Sequence, residues 1–176
     1  MSFNQFIHPR NIFRNKPNYE QLGKLYHEFN SILSYDSRRR PSIDYSDPKS
    51  LKLLTITLLK FYFDLNVQIP NDRLIPTLPM RLNYLLWIED LLKHCKLVYN
   101  SQTIIGLDIG TGCCAIFPLL GVKLNPNLNF IATEIDEVNF EYAKLNICAN
   151  DCSNRIKCMY LFIYIYLCQN NFLYLF

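Results

Sequence analysis

The chain of 176 residues and 20.8 kDa has the length of one ordinary domain and is short for a two-domain enzyme. Half of its residues are hydrophobic, 19% are charged and the mean hydropathy is +0.01, which excludes wholesale disorder and collagen-like or coiled-coil sequence. Net charge is +3, from 18 Lys and Arg against 15 Asp and Glu, too small a surplus to demand a polyanionic partner. Ten of the basic residues fall within the first 60 positions, against five acidic ones, so the basic character is N-terminal. Seven cysteines accompany a start, Met1 to Phe13, without an apolar stretch of signal-peptide length, and they read as free thiols of an intracellular protein. Cys148, Cys152 and Cys158 are grouped, but no paired C-x-x-C spacing or nearby His completes a metal site, and none is expected.

Residues 1 to 50 mix aromatic, basic and turn-forming residues and read as an extended arm. A short helix is expected over about Tyr19 to Leu33, where Leu22, Leu25, Tyr26 and Phe29 recur at helical spacing. Ser46, Asp47 and Pro48 signal a helix start, and the helix runs to Phe63 with Leu51, Leu54, Leu58 and Phe61 inward. Another amphipathic helix is predicted from Arg81 to His94, its apolar face carrying Leu82, Leu85, Leu86, Trp87, Leu91 and Leu92.

After Lys96 the period changes. Thr103 to Gly110, TIIGLDIG, reads as a buried parallel strand ending in glycines, followed by a helix from about Cys113 to Leu120. Asn129 to Asp136 is a second strand, Val138 to about Asn150 a second helix, and Ile156 to Met159 begins a third strand. Strand alternating with helix implies an α/β fold with a parallel sheet, because a parallel partner is reached only by a crossover connection. The division expected is an N-terminal helical region at 1–95, a sheet region at 96–158 and an apolar tail at 159–176. That tail holds seven aromatic residues and no charge, and Gln169, Asn170 and Asn171 break it below the length of a membrane span. It reads as foreign to the fold, as when translation continues into non-coding sequence, and no membrane partner is expected.

The sharpest local signal is Asp108-Ile109-Gly110-Thr111-Gly112, at a strand-to-helix turn where glycines let a ligand approach the main chain. Gly110 to Ala115 also satisfies G-x-G-x-x-A, a pyrophosphate-binding pattern. Asp108 is awkward for a pyrophosphate and suits a ligand with an ammonium group, such as S-adenosylmethionine. Glu134, at the end of the second strand, is placed to accept both hydroxyls of an adenosine ribose. Cys113 and Cys114 at a helix start suggest an activated thiol or, more simply, small residues lining a turn. Arg81 suits a carboxylate partner, either that of a methionine moiety or Glu89 or Asp90 further along its helix.

His8-Pro9-Arg10-Asn11, Lys16-Pro17, Asp47-Pro48, Leu74-Ile75-Pro76-Thr77, Arg81-Leu82-Asn83-Tyr84, Asp108 to Gly112, Pro118-Leu119-Leu120-Gly121 and Ala132-Thr133-Glu134 together resemble the methyltransferase-like protein 16 family. The similarity runs in register over about residues 3 to 158. The resemblance implies the N-terminal part of a Rossmann-like class I methyltransferase that uses S-adenosylmethionine to methylate the N(6) amino group of adenine in structured RNA. Its substrates would be a spliceosomal small nuclear RNA or messenger RNA hairpins, and its place the nucleus, with the cytoplasm second. By position, Arg81, Asp108, Gly110, Thr111, Gly112 and Glu134 would serve the cofactor. Arg10, Arg14, Lys16, Pro17, Asn18, Tyr19 and Glu20 would meet RNA, with Phe13 and Tyr19 stacking on unpaired bases.

The family's Asn-Pro-Pro-Phe motif, which holds and stacks on the target adenine, has no counterpart. Asn125-Pro126-Asn127-Leu128 precedes the second strand and reads as a turn. The fourth to seventh strands are missing too, which would leave the first strand as an exposed edge. No catalytic residue is therefore assigned, and the chain as written is expected to be a truncated, inactive form. Two alternatives stay open: a non-catalytic RNA-binding fragment and a dinucleotide-binding oxidoreductase fragment.

Overall fold

The computed structural model describes residues 6–94 and 103–161. The chain divides into two compact units, Met1–Gln102 and Thr103–Phe176. In the first, Asn11 accepts from the Phe13 amide and opens a 3-10 turn at Ile12–Arg14. The expected helix over 19–33 is two helices, α1 (Tyr19–Leu25) and α2 (His27–Asn30), because Tyr26 is extended between them. Asn18 caps α1 by accepting from the Gln21 amide at 3.0 Å. A hairpin unforeseen in the sequence follows, β1 (Ser34–Tyr35) against β2 (Pro41–Ser42), its turn held by Asp36, whose carboxylate accepts from the Arg38 and Arg40 amides.

Helix α3 (Pro48–Phe63) starts as its Asp-Pro signal predicts, with Asp47 accepting from the Lys49 and Ser50 amides. Its inward face is rotated from the expected one. Leu58 is buried as predicted, but its companions are Ser50, Thr55, Thr57 and Leu59, while Leu51, Leu54 and Phe61 are only half-buried. A hydrogen bond from Thr55 Oγ1 to the Pro76 carbonyl at 3.2 Å fixes that phase. Helix α4 (Leu78–His94) starts three residues before the predicted Arg81 and buries Leu78, Leu82, Leu85 and Leu86. Trp87 and Leu91, assigned to the apolar face, are exposed at 51% and 41%.

The second unit is a parallel sheet in the order β3 (Ile104–Ile109), β4 (Leu128–Glu134), β5 (Ile156–Tyr160), with α5 (Ile116–Leu124) and α6 (Glu137–Ala149) as crossovers. Register places Gly106 beside Phe130 and Phe130 beside Ile156, and this face receives both helices. Phe130 reaches α5 at Gly121, and Tyr160 at the end of β5 meets Phe140 of α6 with ring centroids 5.4 Å apart. Both helices on one face is what two right-handed crossovers in the same direction produce. Among the described residues of this unit no helix lies on the other face, where Ile105, Leu107 and Ile109 are 64%, 62% and 75% exposed. Strand β5 runs through Tyr160, two residues into the segment assigned to the tail; residues 162–176 lie outside the described residues. No described helix is long and apolar enough to cross a membrane.

Arg155 ties this sheet together. Its guanidinium donates to the carbonyls of Val122, Asn125 and Leu128 at 2.8, 2.7 and 2.5 Å, gripping the end of α5 and the entry to β4 at once. Helix C-termini leave carbonyls without intrahelical partners, and a charged fork answers several of them. Arg155→Ala is expected to destabilise the unit by about 2–4 kcal/mol, since charge-assisted bonds contribute roughly 1.5–3 kcal/mol each and are not additive. Arg155→Lys, which cannot span three carbonyls, should recover less than half of that. Chemical denaturation followed by circular dichroism measures both, and equal stability of Lys and wild type would refute the multidentate role.

Candidate cofactor site

The site is built where β3 and β4 end side by side. Asp108 pairs with Ala132 and Ile109 with Thr133, so the chain leaving β3 turns directly over the end of β4. The Gly110 and Thr111 amides both donate to the Thr133 carbonyl at 2.9 Å. Gly110 and Gly112 have φ of +75° and +68°, the left-handed region that L side chains rarely adopt. A Cβ added at either would meet nothing within 4 Å, so the ground above the turn is open. Asp108 accepts from Thr111 Oγ1 at 2.6 Å, which anchors the turn to the strand it leaves.

Glu134 closes the arrangement. It is 5% exposed, and one carboxylate oxygen accepts from the Gly112 amide at 2.8 Å. The other accepts from the Ile135 and Asp136 amides at 2.8 and 3.0 Å. Strand end and glycine turn are thus joined directly, with Asp136 capping α6 alongside. The result is two carboxylates, Asp108 and Glu134, beside an open glycine turn. Such a site favours a ligand with cationic and hydroxyl groups over a pyrophosphate, which like charges oppose.

Asp108, Gly110, Thr111, Gly112 and Glu134 are therefore gathered in one place. Arg81 lies in the first unit, half-buried on the first turn of α4. Of the carboxylates proposed as its helix partners, Glu89 accepts from Arg10 at 2.7 Å, and Asp90 from Arg10 and from His8 Nε2, the latter at 2.7 Å. Asp90 is held below the usual carboxylate range, chiefly by the His8 hydrogen bond.

The activated-thiol reading of the cysteines is overturned. The helix begins at Ile116, not Cys113, and Cys113 and Cys114 are each 3% exposed. Burial raises the Cys114 thiol pKa, the opposite of activation. Cys113 instead offers its carbonyl to Asn146 Nδ2 at 2.9 Å, a buried contact between the turn and α6 that no sequence signal announced. The described residues hold no cluster of His, Cys, Asp and Glu arranged for a metal.

The residues assigned to RNA all lie in the first unit. Arg10 donates to Glu89, Asp90 and the Leu86 carbonyl of α4. Arg14 closes the 3-10 turn, and Asn18 serves as a helix cap. Glu20 pairs with Lys24 at 2.8 Å, which lowers its pKa. Lys16 is exposed with its Nζ 4.6 Å from the centre of the Tyr19 ring, and Pro17 is half-buried beside it. Phe13 and Tyr19, expected to stack on bases, are 6% and 4% exposed and pack inward, on Tyr62 and Phe29.

A family model described as RNA methyltransferase matches residues 1–161. The chain is 42% identical over 160 residues to the Xenopus laevis RNA N(6)-adenosine-methyltransferase mettl16, covering 89% of this chain and 28% of that protein. It is 40% identical over 159 residues to the Dictyostelium discoideum U6 small nuclear RNA (adenine-(43)-N(6))-methyltransferase, covering 87% of this chain and 28% of that one. Among solved structures, the N-terminal domain of human METTL16 in complex with SAH superposes with a TM-score of 0.82 at 40% identity, over 88% of this chain and 59% of that one. The hMettl16 catalytic domain in complex with MAT2A 3'UTR hairpin 1 gives 0.81 at 39% identity, over 89% and 52%. The chain thus spans well under a third of the length of these two curated relatives. With a glycine turn tied to a strand-end glutamate, a parallel α/β sheet and this match, the chain belongs to the RNA methyltransferase family.

Proposed function

We propose that this chain is the cofactor-binding portion of an S-adenosylmethionine-dependent RNA adenine-N(6) methyltransferase, and that by itself it binds the cofactor without methylating RNA. One observation carries the reading: Glu134 and the Gly110–Gly112 turn meet at 2.8 Å, below glycines whose Cβ positions open onto empty space. The residues present fit the group. Glu134 would accept from the ribose hydroxyls, and Asp108 and the turn would receive the amino-acid end. The cofactor supplies a methyl group on a sulfonium; the protein's part is to hold and orient it and to exclude water. Relatives that act on U6 small nuclear RNA and a neighbour seated on a messenger RNA hairpin support structured RNA as the substrate class, and with it a nuclear place of action.

The absence of an Asn-Pro-Pro-Phe segment from the 176 residues supports the second half of the proposal. Without the group that accepts from the target amine and the ring that stacks on the flipped base, nothing repays the few kcal/mol of unstacking. In a thermal-shift titration, S-adenosylhomocysteine should raise the melting temperature and a nicotinamide dinucleotide should not. Methyl transfer from labelled S-adenosylmethionine to an RNA hairpin should stay at background. A shift with the dinucleotide alone would replace the reading by an oxidoreductase one. RNA binding without any S-adenosylhomocysteine shift would leave only an RNA-binding module.

A further inference from the structure

A hollow of about 280 Å³ opens in the first unit between the N-terminal arm, α3 and the loop leading into α4, far in sequence from the glycine turn. Its walls are apolar, with Leu51, Leu54 and Leu58 from α3 and Ile75 and Pro76 from the loop. That volume sits at the small end of the ~300–1,000 Å³ typical of ligand pockets, room for a flat ring system rather than a whole cofactor. Three aromatic residues line it, Phe13, Tyr19 and Tyr45. Tyr19 is buried, and its hydroxyl lies 2.7 Å from that of Tyr45, which is 53% exposed. Tyr45 therefore presents a ring that is fixed at its hydroxyl end yet open to solvent. Lys16 also lines the hollow, its ammonium over the Tyr19 ring.

A second hollow of about 490 Å³ shares Ile75 with the first and carries Lys49 and Lys52, the latter donating to Asn71 at 2.8 Å. An apolar slot with an exposed aromatic rim, flanked by three lysines, matches one chemistry: an unpaired nucleotide with its base in the slot and its phosphates on the ammonium groups. An apolar peptide side chain would use the slot but not the lysines.

We propose that this hollow receives one unpaired RNA base, stacked against Tyr45, with Lys16 on its phosphate. The inference rests on RNA being the substrate class, and it adds a recognition point remote from the methylated base. In binding titrations of the 176-residue chain with a looped hairpin and a blunt duplex of equal phosphate number, Tyr45→Ala should weaken the hairpin by about 10-fold and leave the duplex unchanged, as stacking is worth ~1–3 kcal/mol per base. Tyr45→Phe should bind the hairpin within about 2-fold of wild type, and Lys16→Ala should reduce the salt slope for the hairpin by about 1. Equal losses on both RNAs, or none on the hairpin, would overturn the proposal.

A second measurement needs no variant. A hairpin with 4-thiouridine in its loop, irradiated on the wild-type chain, should cross-link to the peptides carrying Pro17 or Tyr45; adducts confined to other peptides would overturn the base site. The cofactor titration reads out separately. A hairpin-selective Tyr45 effect without any S-adenosylhomocysteine shift removes the cofactor reading and keeps the base site, and the reverse pattern does the opposite.

Discussion

Glu134→Gln is expected to abolish most cofactor binding and to lower the melting temperature at the same time. The carboxylate serves three backbone amides, one through Oε2 and two through Oε1. Gln has a single acceptor oxygen. If that oxygen keeps the Ile135 and Asp136 amides, the new NH₂ faces the Gly112 N–H, donor against donor; if it flips, two amides are orphaned instead. Leaving a buried donor unsatisfied costs about 1–3 kcal/mol. For a unit of 60–100 residues each kcal/mol is about 4–8 °C in melting temperature, so a fall of roughly 4–24 °C is expected. Affinity for S-adenosylhomocysteine should fall at least ~10-fold if Glu134 is the ribose acceptor as proposed, because the variant then loses both that acceptor and the position of the turn. Glu134→Asp keeps the charge but not the reach, and should fall between Gln and wild type in stability. Calorimetric titration with S-adenosylhomocysteine decides the matter; undiminished affinity in the Gln variant would remove Glu134 from the cofactor site.

The sheet and its turn were legible because their signals are local. TIIGLDIG ends in glycines where a strand must turn, and Glu134 closes the second apolar run, so both ends of the site stand in short windows of sequence. The start of α3 was legible for the same reason, Asp47 and Pro48 being cap and first-turn residues whose effect needs no tertiary partner. What could not be read depends on distant pairs. The phase of α3 is settled by a bond from Thr55 to Pro76, 21 positions away. The ion pairs of Arg10 could not be read because their acceptors, Glu89 and Asp90, lie about 80 positions off on α4. Phe13 and Tyr19 looked like stacking residues in a basic arm, and burial decides that they are core. The role of Arg155 shows only once the end of α5 and the start of β4 are seen side by side.

Gly121→Ala is the substitution whose sign sequence reasoning gets wrong. Gly121 is interior to α5, where Ala is favoured over Gly by about 0.8–1.0 kcal/mol, so propensity alone predicts stabilisation. Packing opposes it. A Cβ at Gly121 would lie 2.5 Å from Phe130 Cε2 and 2.7 Å from Cζ. The ring has no room to withdraw, because a Cβ built on Gly106 of β3 would already stand 2.6 Å from its Cε1. Phe130 is clamped between two glycines, one on the helix and one on the neighbouring strand, and at 8% exposure it has no path outward. Overpacking a filled site costs typically ~1–3 kcal/mol, and a ring held from both sides puts this one at roughly 2–3, so the variant should be destabilised by about 1–2 kcal/mol net. The clamp predicts a change of sign in a second background. With Phe130→Leu the ring is gone, the added methyl has space, and Gly121→Ala should become neutral or stabilising by up to about 1 kcal/mol. The four proteins of this cycle, unfolded in urea, give the coupling directly. A loss of equal size in both backgrounds would assign the cost to the helix backbone and leave the ring without a role in it.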